Sequence, residues 1–180
     1  SLSQLIKTLR DSALPCAEKD FPYDPEELKK LAATGERWDT ESRKASAKNM
    51  RNTFGPLQIQ KVAPKEVAKI KTLLAAGWVV VVSTFLHDET YESNALQRYG
   101  LPLCPLPNTP RGKDGHAWVL FGYDHVDGNS QWKYQGRFLT LNSWGHNWPM
   151  ISPHGPGVCS LPFAFLLTEG IEAFAIRFQG

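Results

Sequence analysis

Apolar residues open the chain at Leu2, Leu5, Ile6 and Leu9, the three-and-four spacing that lines one face of a helix. The stripe has almost no lead-in and the first residue is Ser rather than Met, so the expectation is a start inside a helix from which upstream residues were removed. After a break near Arg10, the run Phe21-Pro22-Tyr23 makes a turn into Asp24 and Pro25, an N-cap and a first helical residue, and Gly35 ends the helix they begin. From Glu36 to Asn52 the chain is rich in Arg, Lys, Ser and Glu with few apolar anchors, which predicts an exposed segment or loop. The basic positions Arg43, Lys44 and Lys48 within it read as a solvated face.

Pattern becomes stronger beyond residue 60. Pro64 to Gly77 carries a helical apolar stripe with Pro near its start and Gly at its end. Trp78-Val79-Val80-Val81-Val82-Ser83-Thr84-Phe85 follows, a continuous β-prone run that predicts a strand buried on both faces. His87 to Gly112 reads as a long excursion, rich in Pro toward its end. Four further strands are expected, at Ala117–Tyr123, Arg137–Leu141, Val158–Leu161 and Glu172–Phe178, with Asp127-Gly128-Asn129 as the hairpin turn between the first two. Helices first and antiparallel strands afterwards predict an α+β fold.

Composition narrows the function. The chain has 180 residues, 42% of them hydrophobic and 21% charged, which is ordinary for one globular domain, 1–180. A net charge of +2 gives no electrostatic reason for nucleic acid or an anionic membrane as partner. No apolar run is long enough to span a bilayer and no signal peptide opens the chain. Three cysteines, an odd number without local pairs, make no disulfide framework, so all are expected unpaired and a reducing compartment is expected. Neither a phosphate-binding Gly-rich loop nor a metal-ligand spacing occurs among His125, His146, His154, Asp124 and Cys159, and no cofactor or metal is expected.

The chemistry sits in two strings, Gly115-His116-Ala117-Trp118-Val119-Leu120-Phe121-Gly122-Tyr123 and Leu141-Asn142-Ser143-Trp144-Gly145. Each puts one polar, catalysis-capable residue at the edge of a β-prone run, where a rigid strand holds a side chain at the lip of a cleft. An imidazole that takes and returns a proton needs its second nitrogen held by a hydrogen-bonding partner, and Asn does this without adding charge. From Gly115 to the C-terminus the chain resembles a papain-like cysteine peptidase of the disulfide-poor, bacterial type. The resemblance implies His116 and Asn142 as catalytic residues, Trp144 shielding their hydrogen bond, and Ser143 and Gly145 as supporting positions. It also implies Gly115, Ala117, Trp148 and Ser83 as substrate-binding residues and a peptide or protein as the substrate. In that fold an α-rich lobe faces a β-barrel-like lobe; residues 1–35 correspond to the tail of the first and 54–180 mainly to the second.

The nucleophile of such a peptidase lies on a helix start within a Gln…Cys-Gly-Ser-Cys-Trp-like stretch, and no such stretch occurs here. Cys16 follows a helix and a Pro, Cys104 lies in a Pro-rich loop, and Cys159 falls in an apolar strand, so all three read as structural thiols. A second departure is Trp148-Pro149, where the family has Trp-Gly: Pro neither donates a hydrogen bond nor takes the backbone angles open to Gly, so the turn runs differently. Two classes of function stay open. One is a thiol peptidase whose Cys lies on an upstream segment, in the same protein or as a separate chain. The other is an inactive pseudo-peptidase acting as a binding module, while a Cys-His-Asn deamidase or acyltransferase would use the same residues on another amide or acceptor.

Overall fold

The computed structural model describes residues 2–4, 6, 33, 41–87, 93–101, 115–124, 136–142, 148–149, 151–152, 154–155 and 157–179. Within this range contacts divide the chain into two compact units, one of Ser3–Gln58 with Phe178–Gly180 and one of Ile59–Arg177. Residues 2–4 and 6 are helical, with Leu2 and Ile6 buried. The helix expected to start at Asp24 and the turn expected at Asp127-Gly128-Asn129 lie outside the described residues.

In the first unit, helix α1 runs Glu41–Phe54. From Glu41 onward this corrects the loop alternative of the exposed segment or loop expected at Glu36 to Asn52, whose first five residues lie outside the described ones. Ala, Lys, Arg, Glu and Met lose little side-chain freedom in a helix, so local propensity carries a segment that lacks an apolar stripe. The expected exposure holds at Ala45, Lys48 and Asn49, whereas Ser46 is buried. Gly55 ends the helix at φ 76°, and a Cβ there would collide with the carbonyl of Gln179. The Phe54 ring meets Phe178 at 5.5 Å, and the Gln179 amide donates to Pro56 O at 2.9 Å.

The remaining elements are β1 Leu57–Val62, α2 Val67–Ala75, β2 Val79–Phe85, α3 Asn94–Tyr99, β3 Gly115–Asp124, β4 Arg137–Leu141, β5 Val158–Pro162, α4 Phe163–Glu169 and β6 Gly170–Phe178. Six strands form one sheet in the order β1-β6-β2-β3-β4-β5. Strand β2 pairs antiparallel with both β3 and β6, and β4 pairs antiparallel with β3 and β5. The chain is therefore α+β, as the order of patterns implied.

One face of the sheet makes the core. Val80 and Val82, Trp118 and Leu120, Phe138, Cys159 and Leu161, and Ala173 and Ala175 point into it, joined by Ile70 and Leu74 of α2 and Phe165 and Leu166 of α4. Strand β2 was expected to be buried on both faces, but its exposure alternates and Val79 is 39% exposed. The correction is physical: a strand inside an antiparallel sheet buries one face only, unless a second layer covers the other.

Three elements depart from the sequence pattern. Leu57-Gln58-Ile59-Gln60-Lys61-Val62 forms β1, a strand not anticipated; apolar and polar residues alternate only from Leu57 to Gln60, and Val62 is the buried residue. The excursion from His87 to Gly112 contains α3, capped by Ser93, whose Oγ accepts from the Leu96 amide at 3.2 Å. Gly100 closes α3 in the left-handed region at φ 62°. Phe163-Ala164-Phe165-Leu166-Leu167-Thr168-Glu169 forms α4 between two strands, because the sheet core needs Phe165 and Leu166 on one inward-facing side. Among the described residues no helix is long and apolar enough to cross a membrane.

Candidate active site

Strand β3 begins next to the end of β2, with Thr84 opposite His116 and Phe85 opposite Gly115. Side chains alternate along β3, so His116 shares its face with Trp118 and Leu120, both fully buried. The imidazole thus sits at the open end of a packed row. Trp118 supports it from below, with ring centroids 4.6 Å apart and an edge-on interplanar angle of 78°. Trp118 is itself fixed, since its Nε1–H donates to Thr84 Oγ1 at 3.0 Å in a fully buried contact. Thr84, Trp118 and His116 form one column anchored in the core.

Asn142 reaches the same place from the other side. Leu141 ends β4 opposite Val119, and the next residue, Asn142, turns its side chain toward the start of β3. His116 Nε2 and Asn142 Oδ1 lie 2.8 Å apart across 26 residues of sequence. Since an amide oxygen only accepts, Nε2–H is the donor and the neutral ring carries its basic lone pair on Nδ1. Burial of the ring pulls its pKa below the ordinary 6.5, and the Asn142 hydrogen bond opposes that shift. The Asn142 contact therefore holds the imidazole in one tautomer, with its basic lone pair on Nδ1.

The other anticipated positions are distributed as follows. Ser83 stands opposite Ala117 on the outward face of the sheet, and Gly115 and Ala117 are exposed. Trp148 is partly buried and packs against the main core, and its peptide bond to Pro149 is cis. Ser143, Trp144 and Gly145 lie outside the described residues, as do Cys16 and Cys104. Cys159 is unpaired and buried, and burial pushes its thiol up to about 11. Thr140 Oγ1 stands 2.6 Å from its sulfur. A protonated thiol enclosed in this way is a poor nucleophile.

Sequence reasoning gave no role to Thr84 or Trp118. Trp118 shares a strand face with His116 at a spacing of two, which was legible, but the register that sets Thr84 against it was not. Among the described residues no group of three potential metal ligands comes together.

No protein-family model and no curated protein matches the chain. Solved structures do. Xylellain, a cysteine protease from Xylella fastidiosa, aligns over 97% of this chain and 60% of its own, with a TM-score of 0.67 and 21% identity. The clostridial cysteine protease Cwp84 after propeptide cleavage aligns over 97% of this chain and 40% of its own, with a TM-score of 0.53 and 19% identity. The Carica candamarcensis cysteine protease CMS1MS2 in complex with E-64 aligns over 97% and 67%, with a TM-score of 0.50 and 17% identity. The chain thus spans about three fifths of the length of xylellain and less of Cwp84. Its fold is that of papain-like cysteine proteases.

Proposed function

We propose that this chain is the part of a papain-like cysteine peptidase that carries the proton-transfer residues, His116 as acid and base and Asn142 as its orienting partner, with the nucleophilic Cys on a segment outside the chain. The observation that carries this reading is the 2.8 Å contact between His116 Nε2 and Asn142 Oδ1 at two converging strand ends. A merely structural histidine has no need of a neutral partner that sets its tautomer while the ring stays half-buried. The fold shared with cysteine proteases supports the same reading.

In the proposed reaction a thiolate, its proton held on Nδ1 of His116, attacks the peptide carbonyl carbon. The C–N bond breaks as Nδ1 protonates the leaving amine. Water then gives a proton back to Nδ1 as its oxygen attacks the thioester, releasing the acid and the thiol. The thiolate also favours a charged ring, so the lowered pKa of His116 in this chain belongs to the site before its anion is present.

The test is to express the chain with its nucleophile-bearing segment, joined or as a second polypeptide, and to measure hydrolysis of fluorogenic peptides and labelling by E-64. Turnover is expected, with about a 100-fold to 10,000-fold loss in His116→Ala and a smaller loss in Asn142→Ala. A folded, complete protein that binds peptide without cleaving it would make the lobe a binding module. Hydrolysis confined to side-chain amides would make it a deamidase.

A further inference from the structure

We infer that Thr84 is a positioning residue for the proton-transfer step: through the Trp118 indole it fixes the angle at which His116 presents Nδ1. This rests on the peptidase reading above. Across the ladder of β2 and β3, Thr84 stands opposite His116, whereas the partner of Trp118 is Val82. The 3.0 Å hydrogen bond from Trp118 Nε1–H to Thr84 Oγ1 therefore runs diagonally rather than straight across. It draws the indole along the sheet toward the end that carries His116, where the two rings stand edge-on at 78°. Thr84 and Trp118 are both fully buried, and a side chain branched at Cβ turns little about χ1. The hydroxyl is a fixed post in the core.

Asn142 by itself leaves the imidazole one freedom. The χ2 torsion of a histidine is broad, with no steep wells of its own. Nε2 lies close to the Cβ–Cγ axis of that rotation, so a swivel of the ring barely stretches the 2.8 Å contact with Asn142 Oδ1. Nδ1 lies farther from the axis and swings through a wider arc. It is also the atom that, in the proposed reaction, must meet the thiol and then the leaving amine, so its aim needs a second restraint. The indole supplies one, because a ring whose centroid is 4.6 Å away stands in the path of the swivel. An indole free at Nε1 would tilt with the imidazole, whereas one tied to Thr84 holds its plane. Asn142 thus sets the tautomer, and Thr84, acting through Trp118, sets the swivel.

The experiment measures kcat and KM of the complete protein on a fluorogenic peptide, per site titrated with E-64, so that misfolded molecules do not count. Thr84→Val keeps the shape and removes the acceptor; kcat is expected to fall about tenfold with KM unchanged, part of the loss that a misplacement of about 1 Å brings. Thr84→Ser restores the hydroxyl and should recover most of that loss. Thr84→Ala, which removes the acceptor without adding a methyl, replaces Thr84→Val where the latter does not fold. Trp118→Phe has no N–H to anchor, so adding Thr84→Val to it should cost nothing further. In parallel, NMR on this chain alone should report a single χ2 for His116 from three-bond couplings, and averaging over χ2 in Thr84→Val. An unchanged kcat, a loss confined to KM, or a loss that adds in full to that of Trp118→Phe overturns the inference while leaving the peptidase reading intact. If the unsubstituted protein cleaves nothing, the peptidase reading fails, and the χ2 comparison by itself decides whether Thr84 holds the ring.

Discussion

At the scale of single residues, the candidate site is a histidine that two described neighbours restrict. Trp118 sets the ring plane from below, and Asn142 fixes the tautomer from the side. Desolvation lowers the pKa of His116, so the unfolded chain binds a proton more readily than the folded one. The contribution to stability is therefore intact above the ordinary value of 6.5 and is lost as pH falls from there through the folded value. Asn142→Ala removes the interaction that raises this pKa and should lower it further, which ring-proton NMR titration will measure; a rise would contradict the hydrogen-bond assignment. Cys159 presents the opposite chemistry, a thiol raised to about 11 inside the core. It should resist iodoacetamide in the folded protein at mildly alkaline pH and react in denaturant, as peptide mapping by mass spectrometry will show.

At the scale of elements, two junctions hold the sheet end that presents His116. His87, just past β2, meets Glu169 at the end of α4, Nε2 to Oε2 at 3.0 Å with both residues buried. This pair ties the segment leaving β2 to the start of β6, and Thr84 lies opposite Gly170 at that same point. Removing one partner of a buried polar contact costs more than an exposed one, so Glu169→Ala should cost about 1–3 kcal/mol in denaturant unfolding. The second junction is Gly100, whose carbonyl accepts from the Ser160 amide at 3.0 Å and docks α3 on β5. A Cβ there would stand 2.6 Å from Cys159 Cβ and 2.8 Å from Pro149 Cγ, at a φ of 62° that side chains disfavour. Gly100→Ala is expected to destabilise by about 2 kcal/mol or more, with loss of thermal stability as the readout. Neither junction was legible in the sequence, because His87 and Glu169 are 82 residues apart and only the fold makes them neighbours.

At the scale of the whole molecule, this chain by itself is expected neither to hydrolyse peptides nor to take up E-64, and both activities should appear when the nucleophile-bearing segment is supplied. Labelling of Cys16, Cys104 or Cys159 in the isolated chain, abolished by His116→Ala, would instead put the nucleophile among these thiols. The sequence by itself determined the α+β class, helix α2 and strands β3 to β6, because each carries a period of apolar residues strong enough to survive any context. It also determined that His116 and Asn142 would stand at strand ends, since each borders such a run. It misread α1, where high propensity works without an apolar stripe, and α3 and α4, too short for a period to declare itself. Only the tertiary structure decided which face of β2 is buried and that Thr84 holds Trp118 beneath His116. Those are facts of strand register, and register follows from how residues far apart in the chain share one core.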